Sequence, residues 1–220
     1  MTQPDVPPPK DGMSAPPPPL VAELRAQLRP LLLSLPLLTV LTGVAFPLVL
    51  AGIARSLFPY QANGSLVVRE GAVVGSEQVG QSFSGHGYFH SRPSAAGAGY
   101  DGANSGGSNL GPANPKLRID VSERAKSYRR TNGLPPDALV PIDAVTSSGS
   151  GLDPHISPAN AALQVSRVAR ERRLDIAEVR HLLDEHVYGR QFLFLGDPRV
   201  DLLGLNLALD RAVTLSPIGR

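Results

Sequence analysis

Apolar positions along this chain follow three rhythms, and the longest is unbroken. Over residues 30–54 no charge interrupts the run between Arg29 and Arg55. As a helix, 25 residues reach about 37 Å at about 1.5 Å per residue, enough to cross a hydrocarbon layer of about 30 Å. In lipid only a helix closes its own backbone hydrogen bonds, so the run predicts a single transmembrane helix. Two alternatives are a cleaved signal peptide, with Gly52-Ile53-Ala54 before the cut, and a buried soluble helix. Signal cores usually hold about 7–15 apolar residues, and a charge-free run of this length is long for a soluble helix. Pro36 and Pro47 each remove one backbone bond, which Ser34, Thr39, Thr42 or a neighbouring helix can offset. The small residues Thr39, Gly43, Ala51 and Gly52 allow a partner helix to approach closely.

The second rhythm is helical. Asn114-Pro115 has N-cap and first-turn chemistry. Leu117, Val121, Ala125 and Tyr128 then recur at helical spacing until Asn132-Gly133. The outward face carries Arg124, Lys126, Arg129 and Arg130, a solvated face or a dock for lipid headgroups or an acidic partner. Ser157-Pro158 starts another helix with Ala161, Val165 and Val168 on one stripe. Asp175 and Glu178 form a capping-box pattern before Ile176, Val179, Leu183 and His186, and Gly189 closes that helix.

The third rhythm is short and extended. Asn63-Gly64 signals a tight turn, and Ser65-Leu66-Val67-Val68 reads as the strand after it. Asn63-Gly64-Ser65 also spells a glycosylation sequon, accidental in a tight turn. Ala72-Val73-Val74-Gly75 predicts a second strand, Leu139-Val140-Pro141-Ile142 another, and residues 191–195 (Gln-Phe-Leu-Phe-Leu) a buried one. Residues 200–209 are a last apolar segment of open type. Helices and strands mix without strict alternation. The fold class expected is α+β: one N-terminal transmembrane helix, then a single mixed α/β extracytoplasmic domain.

Residues 82–115 follow no rhythm. They hold eight glycines, and a structureless stretch this long is usually functional or disordered. Tyr88-Phe89-His90-Ser91-Arg92-Pro93 inside it argues for packing on something. Three motif matches here and nearby lack their context. Gly97-Ala98-Gly99-Tyr100-Asp101-Gly102 fits G-x-G-x-x-G with no strand before it and no helix after it. His86 and His90 are four apart, but Gly85 and Gly87 weaken the helix that would align them on a metal. Ser147-Ser148-Gly149-Ser150-Gly151 lacks the first glycine of a nucleophile elbow.

Composition narrows the picture further. There is no cysteine, so disulfides and thiolate chemistry are excluded. The net charge of +2 gives no reason to expect nucleic acid as a partner. Residues 1–20 contain eight prolines, and residues 1–29 are expected to form a disordered cytoplasmic tail. Arg25 and Arg29 before the apolar run, against Arg55 after it, favour an inner N-terminus. The domains expected are thus the tail at 1–29, the span at 30–54 and an outer domain at 55–220. Leu57-Phe58-Pro59-Tyr60 puts aromatic rings at the outer end of the span.

Several segments together resemble the KdpC family, the C subunit of the Kdp potassium-transporting ATPase. The strongest is Val140-Pro141 with Val145-Thr146-Ser147-Ser148-Gly149-Ser150-Gly151-Leu152-Asp153-Pro154-His155-Ile156-Ser157-Pro158, then Gln164 and Arg167-Val168-Ala169. Gln61-Ala62-Asn63-Gly64-Ser65-Leu66, Gly75-Ser76-Glu77, Gly80-Gln81, Tyr88-Phe89 and Arg92-Pro93-Ser94-Ala95 also match. So do Ser105-Gly106-Gly107-Ser108-Asn109-Leu110-Gly111 and Leu203-Gly204-Leu205-Asn206-Leu207-Ala208-Leu209-Asp210. The match runs collinearly over about residues 30–210, and Gln78-Val79 departs from the Leu-Ile common in the family.

The resemblance implies a plasma-membrane subunit with one span, a short cytoplasmic N-terminus and an outer domain. Its partners would be the lipid bilayer, a channel-like potassium-binding subunit, a P-type ATPase subunit and a small single-helix subunit. No cofactor is expected to be bound firmly; ATP and potassium would be met through the complex. The family has been proposed to raise ATP affinity as a catalytic chaperone, which conflicts with a large domain outside the membrane. The chain has no Asp-Lys-Thr-Gly-Thr phosphorylation motif, no phosphate loop and no potassium-filter segment, so catalytic and metal residues are expected on other chains. Thr39 and Gly43 are candidates for contact with a partner helix. Gln61, Asn63, Tyr88, Phe89, Arg92, Ser148, Ser150, Asp153 and His155 are candidates for subunit contact or for shaping the potassium entrance. A structural loop that positions the helix at Pro158 is the plainer reading of Ser148 to His155. A membrane-tethered solute-binding or sensor domain acting alone is the rival function, with residues 82–115 as its lid.

Overall fold

The computed structural model describes residues 20–215; residues 1–19, most of the expected tail, lie outside the described residues, as do residues 216–220. The chain divides into two units, one ending at Pro59 and one beginning at Tyr60.

The first unit is one long apolar rod. Helix α1 (Leu20–Val40) runs into a π-helical turn (Leu41–Ala45), and α2 (Phe46–Leu57) continues it. The span long and apolar enough to cross a membrane is Leu24–Leu57, 34 residues. The helix thus begins ten residues before the expected span, and residues 20–29 are helical rather than part of a disordered tail. Between Pro19 and Pro30 the sequence offers Leu, Ala, Glu, Arg and Gln, all strong helix formers. Pro30 and Pro36 sit inside α1 without breaking it. Pro47 is different. It lacks an N–H, and its ring crowds the carbonyl four residues back at Gly43. The turn just before it widens, and Phe46 N–H bonds to Leu41 O, five residues back. Large apolar side chains along the rod are exposed, Leu32 by 68 % and Leu48 by 67 %, as suits a helix whose solvent is not water.

The second unit is α+β. After a short helix α3 (Pro59–Ala62), strands β1 (Leu66–Arg69) and β2 (Ala72–Ser76) pair antiparallel, Arg69 opposite Ala72. Their turn is Glu70-Gly71, both left-handed at φ 52° and 80°, the two-residue geometry that matches strand twist. A second sheet has the order β3–β5–β4, from His155–Ile156, Arg199–Asp201 and Val187–Tyr188, antiparallel throughout. Helices α4 (Pro115–Asn132), α5 (Pro158–Arg172), α6 (Ile176–Glu185) and α7 (Leu202–Leu215) accompany it. The core joins Val165 and Val168 of α5, Val179 and Leu183 of α6, Val200 of β5, Leu205 and Leu209 of α7, and Phe89 from the glycine-rich stretch. Burying each such side chain contributes about 1.5–3 kcal/mol.

The helix starts follow the sequence closely. Asn114 accepts from Lys116 N, Ser157 from Asn160 N and Asp175 from Ala177 N. Gly133 ends α4 in a left-handed conformation at φ 66°.

Four expectations are corrected. Residues 191–195 form an exposed loop rather than a buried strand; the buried strand is β5, a few residues later. Residues 139–142 form no strand, since Pro141 removes a ladder donor; Leu139 is 92 % exposed and Ile142–Ala144 is a 3-10 turn. Helix α6 is capped at His186 rather than closed by Gly189. The face of α4 is not wholly outward, because Arg124 donates to Val145 O at 3.1 Å and Arg129 to Ala138 O at 2.8 Å.

Candidate functional site

Residues 82–114 contain neither helix nor strand, yet the part that runs from His86 to Gly106 is firmly held. Buried amide side chains do the work of a neighbouring strand. Asn206 of α7 accepts from Phe89 N at 2.9 Å and donates to Phe89 O at 3.0 Å. Gln164 of α5 accepts from His90 N at 2.7 Å and donates to His90 O at 3.2 Å. Each amide thus completes both backbone groups of one residue, which a buried irregular segment requires. Arg167 adds bonds to His86 O and, at 2.9 Å, to Tyr88 O. Arg172 donates to Gly87 O at 2.6 Å, and its guanidinium lies 4.3 Å from the centre of the Tyr88 ring. Tyr88 Oη and Arg172 both meet Asp210, at 3.0 and 2.8 Å.

These clamps belong to one polar network inside the domain. Arg167 is fully buried; its Nε donates to Asn132 Oδ1 at 2.9 Å and Nη2 to Gln164 Oε1 at 2.8 Å. Burial pushes its pKa down to about 10, still cationic at neutral pH. Gln164 donates to Asn160 Oδ1, and Asn160 donates to Asp143, both at 2.9 Å. Asp143 also accepts the Ser157 backbone N–H and hydroxyl, each at 2.8 Å. Tyr128 Oη donates to Asn160, and burial beside Asp143 raises its pKa far above the ordinary value. His90 shifts the other way: burial, then the Arg167 charge, hold it below the usual imidazole value, although its Nε2 lies 3.0 Å from Gly85 O.

The clamped segment leads into the outer loops. Arg92 Nη1 meets Asp153 Oδ2 at 2.7 Å, and Arg92 also reaches Thr146 O. Asp153 Oδ1 accepts from His155 N at 3.0 Å, and the His155 ring nitrogen Nδ1 lies 3.6 Å from it. Burial opposes ionisation of Asp153, but the bonds from His155 and Arg92 together outweigh it and hold the carboxyl below its ordinary value. Ser94 Oγ donates to Gly151 O at 2.6 Å, and Gly106 N to Ser150 O at 2.8 Å. Gly151 is left-handed at φ 69°, and a Cβ there would stand 2.6 Å from both Ala96 N and Gly106 O. Only glycine lets these three loops close together. An open cleft of about 200 Å³ is lined by Arg92, Asp143, Asp153, His155, Asp197 and Arg199 among others.

The candidate residues therefore divide into groups. Arg92, Asp153 and His155 come together at this cleft. Ser148 and Ser150 lie beside each other, Oγ to Oγ 3.5 Å, with Ser150 Oγ accepting from Leu152 N. Phe89 is core rather than surface, and Tyr88 is a packing residue. Gln61 and Asn63 are exposed at the end of α3, where Gln61 O accepts from Gly64 N. Thr39 and Gly43 are exposed on the apolar rod. Sequence reasoning gave no role to Asp143, Asn160, Gln164, Arg167, Arg172 or Asn206. One signal was available: Asn160, Gln164 and Arg167 form an i, i+4, i+7 stripe of α5 beside the apolar stripe of Ala161, Val165 and Val168, polar groups set next to core positions. No group of three His, Asp or Glu side chains suited to a metal ion occurs among the described residues.

Comparison with known proteins adds the evolutionary setting. A family model described as "KdpC: K+-transporting ATPase, c chain" matches residues 28–211. A Mycobacterium bovis protein named potassium-transporting ATPase KdpC subunit is 53 % identical over 188 residues, covering 86 % of this chain and all of that one. Identically named proteins of Cereibacter sphaeroides and Koribacter versatilis are 51 and 50 % identical; the alignments cover 86 and 78 % of this chain and 99 and 88 % of those proteins.

Proposed function

The chain belongs to the KdpC family of K+-transporting ATPase c chains, and from that premise we propose that it assembles the potassium pump and shapes its outer potassium entrance. It is an accessory subunit of a potassium transport complex. In this reading the apolar rod anchors it in the plasma membrane with the N-terminus inside, and the α+β domain stands outside. A channel-like potassium-binding subunit, a P-type ATPase subunit and a small single-helix subunit are its partners. ATP is met only through that complex, on the far side of the membrane from this domain. A part in setting ATP affinity would therefore act through the partners' conformations rather than through contact.

The observation that carries the reading is the extent of the family match, which takes in the apolar span and nearly the whole outer domain together. The geometry is consistent with a fitted, non-catalytic surface. Arg92, Asp153 and His155 already satisfy one another, and the loops that hold them are locked by backbone bonds to Ser150 and Gly151. That suits a rigid contact or an entrance rim better than a site of bond-breaking chemistry.

Purification from mild detergent tests this reading. Tagged chain should retain three other membrane proteins in fixed proportion and support potassium-stimulated ATP hydrolysis that it lacks alone. A stable lone monomer, with pump activity unchanged in its absence, would overturn the assembly role. Protease added to intact spheroplasts should digest the α+β domain; protection until lysis would reverse the orientation.

A further inference from the structure

The loop between β4 and β5 exposes a run of apolar side chains that the fold does not use. Gln191 and Leu195 exchange both backbone hydrogen bonds at 2.9 Å, closing residues 191–195 into a tight turn. Phe192 and Leu193 are left-handed, φ 50° and 71°, an unfavourable conformation for bulky residues. The turn holds Phe192, Leu193 and Phe194 out at 80, 93 and 71 % exposure, with Leu195 at 47 %. Three consecutive apolar side chains at the tip are thus left uncovered by the fold. A protein groove covers one face of such a tip; a fluid apolar solvent covers all of them.

A polar collar stands directly behind the tip. Arg190 pairs with exposed Asp197 at 3.1 Å, and Arg199 lies 5.7 Å from the centre of the half-exposed Tyr188 ring. Phenyl and leucyl groups leading, with tyrosine and guanidinium groups behind, is the depth order of a bilayer's acyl and headgroup layers. The guanidinium groups of Arg190 and Arg199 in this collar are of the type that hydrogen-bonds phosphate headgroups. A bilayer is also within the domain's tether, since only eight residues separate the end of the apolar rod at Leu57 from β1 at Leu66.

We infer that residues 192–195 are a second membrane contact, dipping into the acyl–headgroup boundary of the bilayer that the apolar rod spans. The inference rests on the reading of that rod as an anchor. The contact would give the outer domain two attachments, one covalent through α2 and one reversible through the tip, and so limit its rotation about the tether.

The chain has no tryptophan, so one introduced indole reports its own surroundings. Phe194→Trp, Leu139→Trp and Phe46→Trp would each be placed in the full chain. Each would be reconstituted into vesicles of phosphatidylcholine with phosphatidylglycerol, with and without brominated lipid. Leu139→Trp, at an exposed position off the loop, and Phe46→Trp, within the rod, set the aqueous and lipid limits. Phe194→Trp should emit at shorter wavelength than Leu139→Trp, lose intensity to brominated lipid and resist iodide. The contact is refuted if Phe194→Trp is quenched by iodide as fully as Leu139→Trp while Phe46→Trp responds to lipid. It is equally refuted if the Phe194→Trp indole is shielded only after the other transporter subunits are added, which assigns the tip to a protein groove. Should Phe46→Trp escape lipid quenching, the anchor reading fails and the loop contact fails with it.

Discussion

Arg167 shows how much of this domain rests on single buried polar side chains. Its guanidinium serves Asn132, Gln164 and two loop carbonyls at once. Arg167→Met keeps much of the volume but leaves those acceptors buried without a donor. Each buried acceptor left unsatisfied costs about 1–3 kcal/mol, measured together as a lower midpoint in urea unfolding of the detergent-solubilised chain. Gly151→Ala meets a double obstacle, the left-handed backbone and the atoms of Ala96 and Gly106. The backbone alone costs about 1–2 kcal/mol, and the close contacts add to it. Two groups predict the response to acid. His90 titrates below its ordinary 6.5 in the folded chain, so the unfolded chain takes the proton first. Stability is therefore full above about pH 6.5 and falls as pH drops toward the folded value. Asp153 is depressed below 3.8, so its contribution persists above that value and is lost as pH falls through the folded one. Both act in the same direction. His90→Gln should flatten the upper part of the profile and leave the carboxylate part, which unfolding midpoints against pH would read out.

At the scale of elements, the glycine-rich stretch is ordered by helices that lie far from it in sequence. Gln164 is 74 positions from His90 and Asn206 is 117 from Phe89. Gln164→Leu should leave α5 intact, since leucine is a good helix former, yet free the His90 backbone. Amide exchange at His90 should then rise sharply while the α5 amides stay protected; unchanged exchange at His90 would deny the clamp. The apolar rod offers a parallel test. An added Cβ at Gly43 meets nothing within 4 Å, so Gly43→Leu is tolerated by the isolated chain. Any loss of co-purifying subunits in that variant therefore reads a partner helix packed at the π-helical turn. Unchanged recovery would place the partner contact elsewhere on the rod.

For the whole molecule, the two units divide the labour that the family assignment implies. One is a continuous apolar helix with proline-conditioned geometry; the other is a small α+β body locked by a polar network. Asp153 ties Arg92 to the start of β3, so removing it also disturbs the loop. Asp153→Asn with His155→Gln keeps size and weakens charge. In the reconstituted pump this variant should retain assembly and phosphorylation of the ATPase subunit while potassium-stimulated turnover falls. Normal potassium affinity and turnover in a normally assembled pump would reduce the cleft to a structural joint.

Local chemistry was legible in the sequence wherever it acts over a few residues. The apolar run, the caps at Asn114, Ser157 and Asp175, the end of α4 at Gly133 and the first two strands all follow from spacing and side-chain type. The family resemblance was legible too, because collinear motifs survive without any knowledge of contacts. Pairings between distant residues were not. Nothing near Phe89 reveals that Asn206 completes its backbone, and Arg92 gives no sign of Asp153. The same limit misplaced the strand at residues 191–195. A continuous apolar run shows which residues avoid water but not which segment finds a vacant edge of a sheet. Val200 took the position between β3 and β4, where its neighbours could complete both backbone edges. The bulkier Phe192 and Leu193 were left on a turn that the fold does not cover. Side-chain type set the elements of this chain; competition for a few buried places, decided only when distant segments meet, set which of them became its core.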